Sequence, residues 1–114
     1  MRLWNRSALV VQPAQPFLDW LHTADPTSHE PTLPDLAREP KIYLIPECET
    51  SEDVADVLQE LCEEIFINQL AGRYTDEANW PEDCSYDVFR EWFNYTHHTM
   101  LVDLCKERLR AEDY

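Results

Sequence analysis

The chain predicts a two-layer α+β domain, a small, mostly antiparallel sheet covered by helices, and three observations carry that expectation. Two apolar runs, Ser7 to Gln12 and Lys41 to Pro46, have the β-branched content and proline boundaries of strands. Val54, Val57, Leu58, Leu61, Ile65 and Phe66 recur at spacings of three and four, the period of an amphipathic helix. The 114 residues suffice for one hydrophobic core but not for two, so residues 1–114 are read as a single domain.

Along the chain, Ser7 to Gln12 ends at Pro13, and Pro16 suits the first turn of a helix running to Ala24 with Phe17, Trp20 and Leu21 on its apolar side. Prolines 26, 31, 34 and 40 make residues 25–40 an irregular loop, within which Thr32 and Asp35 can cap one helical turn through Arg38. Lys41 to Pro46 shows little alternation, which predicts a strand buried on both faces or central in its sheet. Thr50 and Asp53 have capping-box spacing and open the long helix, which continues through Leu70. Gly72, the only glycine, suits a left-handed C-terminal cap.

Trp80-Pro81 marks a turn, and Ser85 is placed to cap a further helix. The aromatic face of that helix, Tyr86, Val88, Phe89, Trp92 and Phe93, predicts burial on more than one side. Residues 95–105 fit either a strand or a helix; the β-branched Thr96, Thr99 and Val102 favour the strand. Residues 106–114 form a charged C-terminal tail. Three strands leave an exposed edge, which a second copy of the chain would cover, so a homodimer is one expectation.

The net charge of −14 is concentrated. Residues 1–41 hold five acids and four bases, and residues 90–114 hold five and four again; residues 42–89 hold thirteen acids against Arg73 alone, which is −12. Such a block repels nucleic-acid phosphates and anionic membranes and attracts basic protein surfaces. Solubility, or adaptation to a salty host, is the plainer explanation of the same acids. The apolar run Ala8 to Val11 is too short for a signal-peptide core, and no stretch approaches a membrane span, so a cytoplasmic protein is expected. Cys48, Cys62, Cys84 and Cys105 lack any C-x-x-C spacing and are expected as reduced thiols, most of them small buried hydrophobes.

The sharpest candidate site is an acidic stripe, Asp56, Glu60, Glu63 and Glu64, opposite the apolar face of the long helix. Like charges one turn apart cost roughly 0.2 to 0.5 kcal/mol per pair. No lysine within the helix offsets that cost. A basic partner would relieve the repulsion, whereas plain solvation tolerates it, so the leading expectation is a non-catalytic binding module docking on a basic protein. An inhibitor or immunity-like protein, presenting carboxylates where phosphates would sit, is one version.

The rival is a small enzyme or metal-binding protein using His97 or His98 with Asp103. On a strand the two histidines point to opposite faces, which disfavours a shared ion. That reading places His98 with Met100 and Val102 as a buried histidine, and His97 with Thr99 and Asp103. Asp19 with His22 has helical spacing, and Glu91 lies two turns from the histidines, but both are common chance spacings. Nucleophile elbow, phosphate loop, metalloprotease and calcium-loop motifs are missing, and one glycine offers little close backbone approach for nucleotide phosphates, so no catalytic residue, metal or cofactor is assigned. The acids around Cys48 and Cys84 disfavour reactive thiolates. Trp4, Trp20, Trp80 and Trp92 are expected mostly in the core, with Trp80 or Trp4 the one to be exposed.

Tyr43-Leu-Ile-Pro-Glu47, Trp80-Pro-Glu-Asp83, Phe89-Arg-Glu-Trp-Phe93 and Val102-Asp-Leu104 together resemble a family of small acidic bacterial proteins of uncharacterised function. The resemblance spans about two thirds of the chain and rests on apolar and turn residues. It implies a bacterial cytosolic domain and transfers no activity.

Overall fold

The computed structural model describes residues 1–25, 32–74 and 76–113. Its elements in order are β1 (Arg2–Leu3), β2 (Ser7–Pro13), α1 (Gln15–Ala24), α2 (Leu33–Ala37), β3 (Lys41–Ile45), α3 (Ser51–Ala71), a 3-10 turn (Glu77–Asn79), α4 (Tyr86–Trp92), β4 (Phe93–His98) and β5 (Val102–Asp103). The main sheet has the order β3-β2-β4, antiparallel throughout, and β1 pairs with β5 in a separate two-stranded ribbon. This is the expected α+β fold. Prolines 26 and 31 of the predicted loop lie outside the described residues; Asp35 of that stretch accepts from the Thr32 N–H and hydroxyl at the start of α2, as its spacing implies.

The sheet has one covered face. Register places Ser7, Leu9, Val11, Tyr43, Ile45, Phe93, Tyr95 and His97 on the side of the helices, and Ala8, Val10, Gln12, Ile42, Leu44, Asn94, Thr96 and His98 on the other. Under the covered face, Phe17, Phe66, Phe89 and Phe93 are fully buried, with Trp20 and Trp92 packed at their margin. Phe93 lies 5.1 Å from the rings of both Phe66 and Phe89 and 5.4 Å from Phe17. Each fully buried phenyl contributes about 1.5 to 3 kcal/mol, so this cluster is the main anchor of α1, α3 and α4 on the sheet.

Several expectations are corrected. Lys41 to Ile45 is neither central nor buried on both faces: it is an edge strand whose Ile42 and Leu44 are 65% and 53% exposed, because the helices cover one face only. Gly72 ends α3 with φ −70°, right-handed rather than left-handed, and its N–H donates to Asn68 O. What Gly72 supplies is room, since a Cβ there would stand 3.2 Å from Lys41 Nζ. The α4 helix buries Phe89 alone and stops at Trp92; Phe93 turns to φ −134° and ψ 147° and opens β4 without an intervening loop. Ser85 precedes α4, but its hydroxyl caps nothing; its N–H donates to Asp83 Oδ1 at 2.9 Å.

Residues 95–105 are strand rather than helix, in two pieces. The main ladder ends at Ala8↔His98 because β2 begins at Ser7, and beyond it the chain leaves the sheet to pair Leu3↔Val102 and Arg2↔Asp103. All four tryptophans are half-buried, so neither Trp4 nor Trp80 stands exposed and none is fully in the core. Trp20 and Trp80 donate at the core margin, to Asn79 O and Tyr74 O, and Trp4 donates to Asp103 beside the β1–β5 ribbon.

Candidate docking face

The candidate face begins with the start of α3. Thr50 Oγ1 accepts from the Asp53 N–H at 3.2 Å, and the Asp53 carboxylate accepts from the Glu49 and Thr50 N–H groups. Those backbone bonds hold the Asp53 carboxyl below the usual carboxylate range, with a smaller attraction from His97. Asp53 therefore serves the helix. Inward, Val54, Leu58, Cys62, Ile65, Phe66, Gln69 and Leu70 are buried, which leaves Asp56, Glu60, Glu63 and Glu64 on the solvent side, all exposed.

At 1.5 Å per residue the four acids span about 12 Å of α3. Among the described residues no cation pairs with them; the ion pair of Arg38 with Asp35 lies elsewhere, on α2. Beyond Glu63 the stripe reaches Ile67, 39% exposed, and a depression of about 420 Å3 lined by Glu63, Ile67, Trp80, Pro81, Glu82, Cys84 and Ser85. Acids thus rim an apolar floor. Burial pushes the Cys84 thiol up, and the Glu63 and Asp83 charges push it further.

No family model, curated protein or solved structure matches the chain. What the face can do is set by its own chemistry. It offers carboxylates that no cation pairs with among the described residues, beside apolar surface, which suits a cationic protein surface carrying an apolar contact.

The histidine constellation does not assemble. His97 faces the helices, half-buried, with Nε2 enclosed and unbonded among the described residues, whereas His98 is exposed on the opposite face with Nε2 3.0 Å from Thr96 Oγ1. This reverses the burial expected from the alternation of His98, Met100 and Val102, because the strand breaks after His98 and Val102 belongs to the other sheet. Asp103 sits in the other sheet and accepts from the Trp4 indole and the Cys105 N–H, bonds that hold its carboxyl low, the Cys105 N–H foremost. Among the described residues no three His, Cys, Asp or Glu side chains gather closely enough to hold a metal. On α1, Asp19 accepts from Gln15 Nε2 at 2.9 Å.

All four cysteines are free thiols: Cys48 and Cys62 buried, Cys84 half-buried and Cys105 exposed. Burial raises the Cys48 and Cys62 thiols, with Asp53 adding to the first and Glu63 to the second. Neither of these, nor Cys84, is poised as a nucleophile.

Sequence reasoning missed the polar seam between β3 and α3. Tyr43 Oη donates to Asn68 Oδ1 at 2.6 Å, Lys41 Nζ donates to the same oxygen at 3.0 Å, and the buried Gln69 Nε2 donates to Tyr43 Oη. Beside the seam, Tyr43, Leu44, Ile45, Leu61, Glu64, Ile65 and Asn68 line a notch of about 270 Å3. A tyrosine in the centre of an apolar strand was the available signal, because a buried phenol needs a partner. No helix among the described residues is long and apolar enough to cross a membrane.

Proposed function

We propose that this protein is a non-catalytic binding module that docks on a basic surface of a partner protein through Asp56, Glu60, Glu63 and Glu64. The observation that carries the reading is the row of exposed carboxylates on α3 that no cation of the described chain neutralises. A partner's lysines and arginines would meet a potential already concentrated there, accelerate encounter and be screened by salt. The acid-rimmed depression at Ile67 and Trp80 would supply the apolar contact that anchors such an interface. An inhibitor of a nucleic-acid-binding protein is the specific version: the carboxylates would occupy the partner's phosphate sites. Nucleic acid itself would be repelled. We place the protein in the cytoplasm, where four free thiols stay reduced.

The test compares the tagged chain with its Glu60→Lys/Glu63→Lys variant as baits in host lysate at 50 mM and 500 mM salt, with retained proteins quantified by mass spectrometry. The expected outcome is a basic protein held by the parent at low salt and lost both at high salt and with the variant. If every retained protein binds parent and variant equally, these carboxylates are not the docking face.

A homodimer is favoured by one separate observation, the exposure of Ile42 and Leu44 on the open sheet face. The charge of −14 on each copy opposes it.

A further inference from the structure

The outer edge of β3 can be resolved into its individual backbone groups. In an antiparallel ladder, residues alternate between pairs that exchange both backbone bonds and pairs that exchange none. Ala14 N–H donates to Trp92 O at 2.7 Å, one step beyond the Pro13↔Phe93 pair, and this sets the phase. Ala8, Val10 and Gln12 therefore turn their backbone groups to β4, and Ser7, Leu9 and Val11 turn theirs to Ile45, Tyr43 and Lys41 of β3. Pro13, which has no N–H to give, falls in the set facing away from β4, as it should. The N–H and C=O groups of Ile42 and Leu44 consequently point out of the sheet. Among the described residues nothing bonds to them, and no strand lies on that side.

Natural sheets hide or charge such edges, because unpaired backbone invites another strand. Pro40 and Pro46 bracket this edge and keep it short, yet they leave Ile42 and Leu44 available. Directly beside it lies the notch between β3 and α3, with an apolar floor of Ile45, Leu61 and Ile65 and with Glu64 on its rim. Glu60 follows one turn earlier on the helix. A strand laid along β3 sends alternate side chains toward α3, so one of them enters the notch while its neighbours pass the carboxylates.

We propose that β3 accepts an extended basic segment of a partner protein as a fourth strand of the sheet. Its backbone bonds to Ile42 and Leu44, one apolar side chain fills the notch, and its lysines or arginines meet Glu60 and Glu64. This mode rests on the acidic docking reading above and specifies how the partner is held. Charge selects the occupant: a second copy of this chain would bring another net −14 to the same edge, whereas a cationic segment finds its complement there. Strand addition of this kind takes its affinity from main-chain bonds and its selectivity from the side-chain pockets alongside.

The probes are three fluorescein-labelled decapeptides, one repeating Val-Val-Lys-Lys so that each face of the strand carries valine and lysine in turn, one with proline in place of every valine, and one repeating Val-Val-Glu-Glu. Binding to the intact chain is read by fluorescence anisotropy at 50 mM salt, and amide hydrogen exchange is followed by NMR. The valine-lysine peptide is expected to bind and to slow exchange at Ile42 and Leu44, whose amides exchange freely without it. The lysine-proline peptide has the same charge but cannot pair as a strand, and it should bind about tenfold or more weakly. The valine-glutamate peptide should not bind.

Leu44→Pro removes one outward N–H that bonds nothing among the described residues, so it should lower affinity by a similar factor while the thermal midpoint holds. Should that variant fail to fold, the exchange rates of the parent decide the question. Equal binding of the valine-lysine and lysine-proline peptides, or unchanged exchange at Ile42 and Leu44, overturns strand addition and leaves acidic docking standing. Binding of the valine-lysine peptide that Glu60→Lys/Glu63→Lys leaves untouched, with Ile42 and Leu44 protected, removes the acidic stripe and keeps the strand. No binding of either cationic peptide removes both.

Discussion

At Gly72 the backbone is right-handed, φ −70° and ψ −14°, a conformation any residue adopts without strain. A glycine there gives away unfolded-state entropy without a conformational return. Its missing Cβ leaves space above the end of α3 for the Lys41 ammonium, which Asn68 Oδ1 accepts at 3.0 Å. A cation at a helix C-terminus is favourable, and it stands there in place of the usual left-handed cap. Because the nearest atom to an added methyl is the end of a flexible side chain, Gly72→Ala is expected to stabilise the protein by about 0.4 to 1 kcal/mol in urea denaturation. A loss of stability would show instead that Lys41 cannot yield. Ser7 is the opposite case, a residue whose position is fully occupied: 1% exposed, its hydroxyl accepts from the Cys48 N–H at 2.9 Å and donates to Cys48 O, tying the start of β2 to the turn that leads into α3.

Helix α3 and strand β3 show what each kind of element discloses in sequence. The acidic face of α3 was legible because, once Val54, Leu58, Ile65 and Phe66 are known to face inward, a period of 3.6 residues fixes the outward set, Asp56, Glu60 and Glu63, from local spacing alone. Strand β3 offered no such lever. Ile42, Tyr43, Leu44 and Ile45 are apolar on both faces, so their pattern could not say which face the helices would cover, or that β2 would take the centre of the sheet. That order depends on residues 7–13 meeting residues 41–45 and 93–98, pairings far apart in the chain. The outward groups of Ile42 and Leu44, and the notch beside them, were invisible for the same reason. If the outer face is open as described, Ile42→Thr and Leu44→Thr should each shift stability within about 0.5 kcal/mol, the range of ordinary surface changes. Leu58→Ala, in the fully buried row of α3, should cost about 2 to 5 kcal/mol in the same urea titration. A cost above about 2 kcal/mol at Leu44 would mean that something covers this face in solution.

Over the whole molecule, the acids of residues 42–89 keep the −12 of their segment, with Arg73 the only base among them. The charge therefore works against compactness, and salt should help the isolated protein. The Debye length falls from about 30 Å at 0.01 M to about 8 Å at 0.15 M salt, which covers most separations along α3. Between those two salt concentrations the thermal midpoint should rise by roughly 4 °C or more, since each kcal/mol of relieved repulsion moves a domain of this size by about that amount. A flat salt response would show that the acids are spaced widely enough to ignore one another. The same addition of salt should weaken any basic partner, so stability and binding are expected to move in opposite directions.

The sheet order carries a consequence for the chain as it is made. The centre of the sheet, β2, is translated before either of its neighbours, and 47 residues separate Ile45 of its first partner from Phe93 of its second. At about 5 to 20 residues per second a ribosome takes roughly 2 to 9 s to cross that interval. Throughout it the backbone of Ala8, Val10 and Gln12 has no ladder to join, and Phe17, then Phe66 and Phe89 as they are made, lack Phe93 to close over. The nascent protein thus passes through a state with an open valine-rich strand and an unsealed aromatic cluster, the form in which a chaperone would meet it.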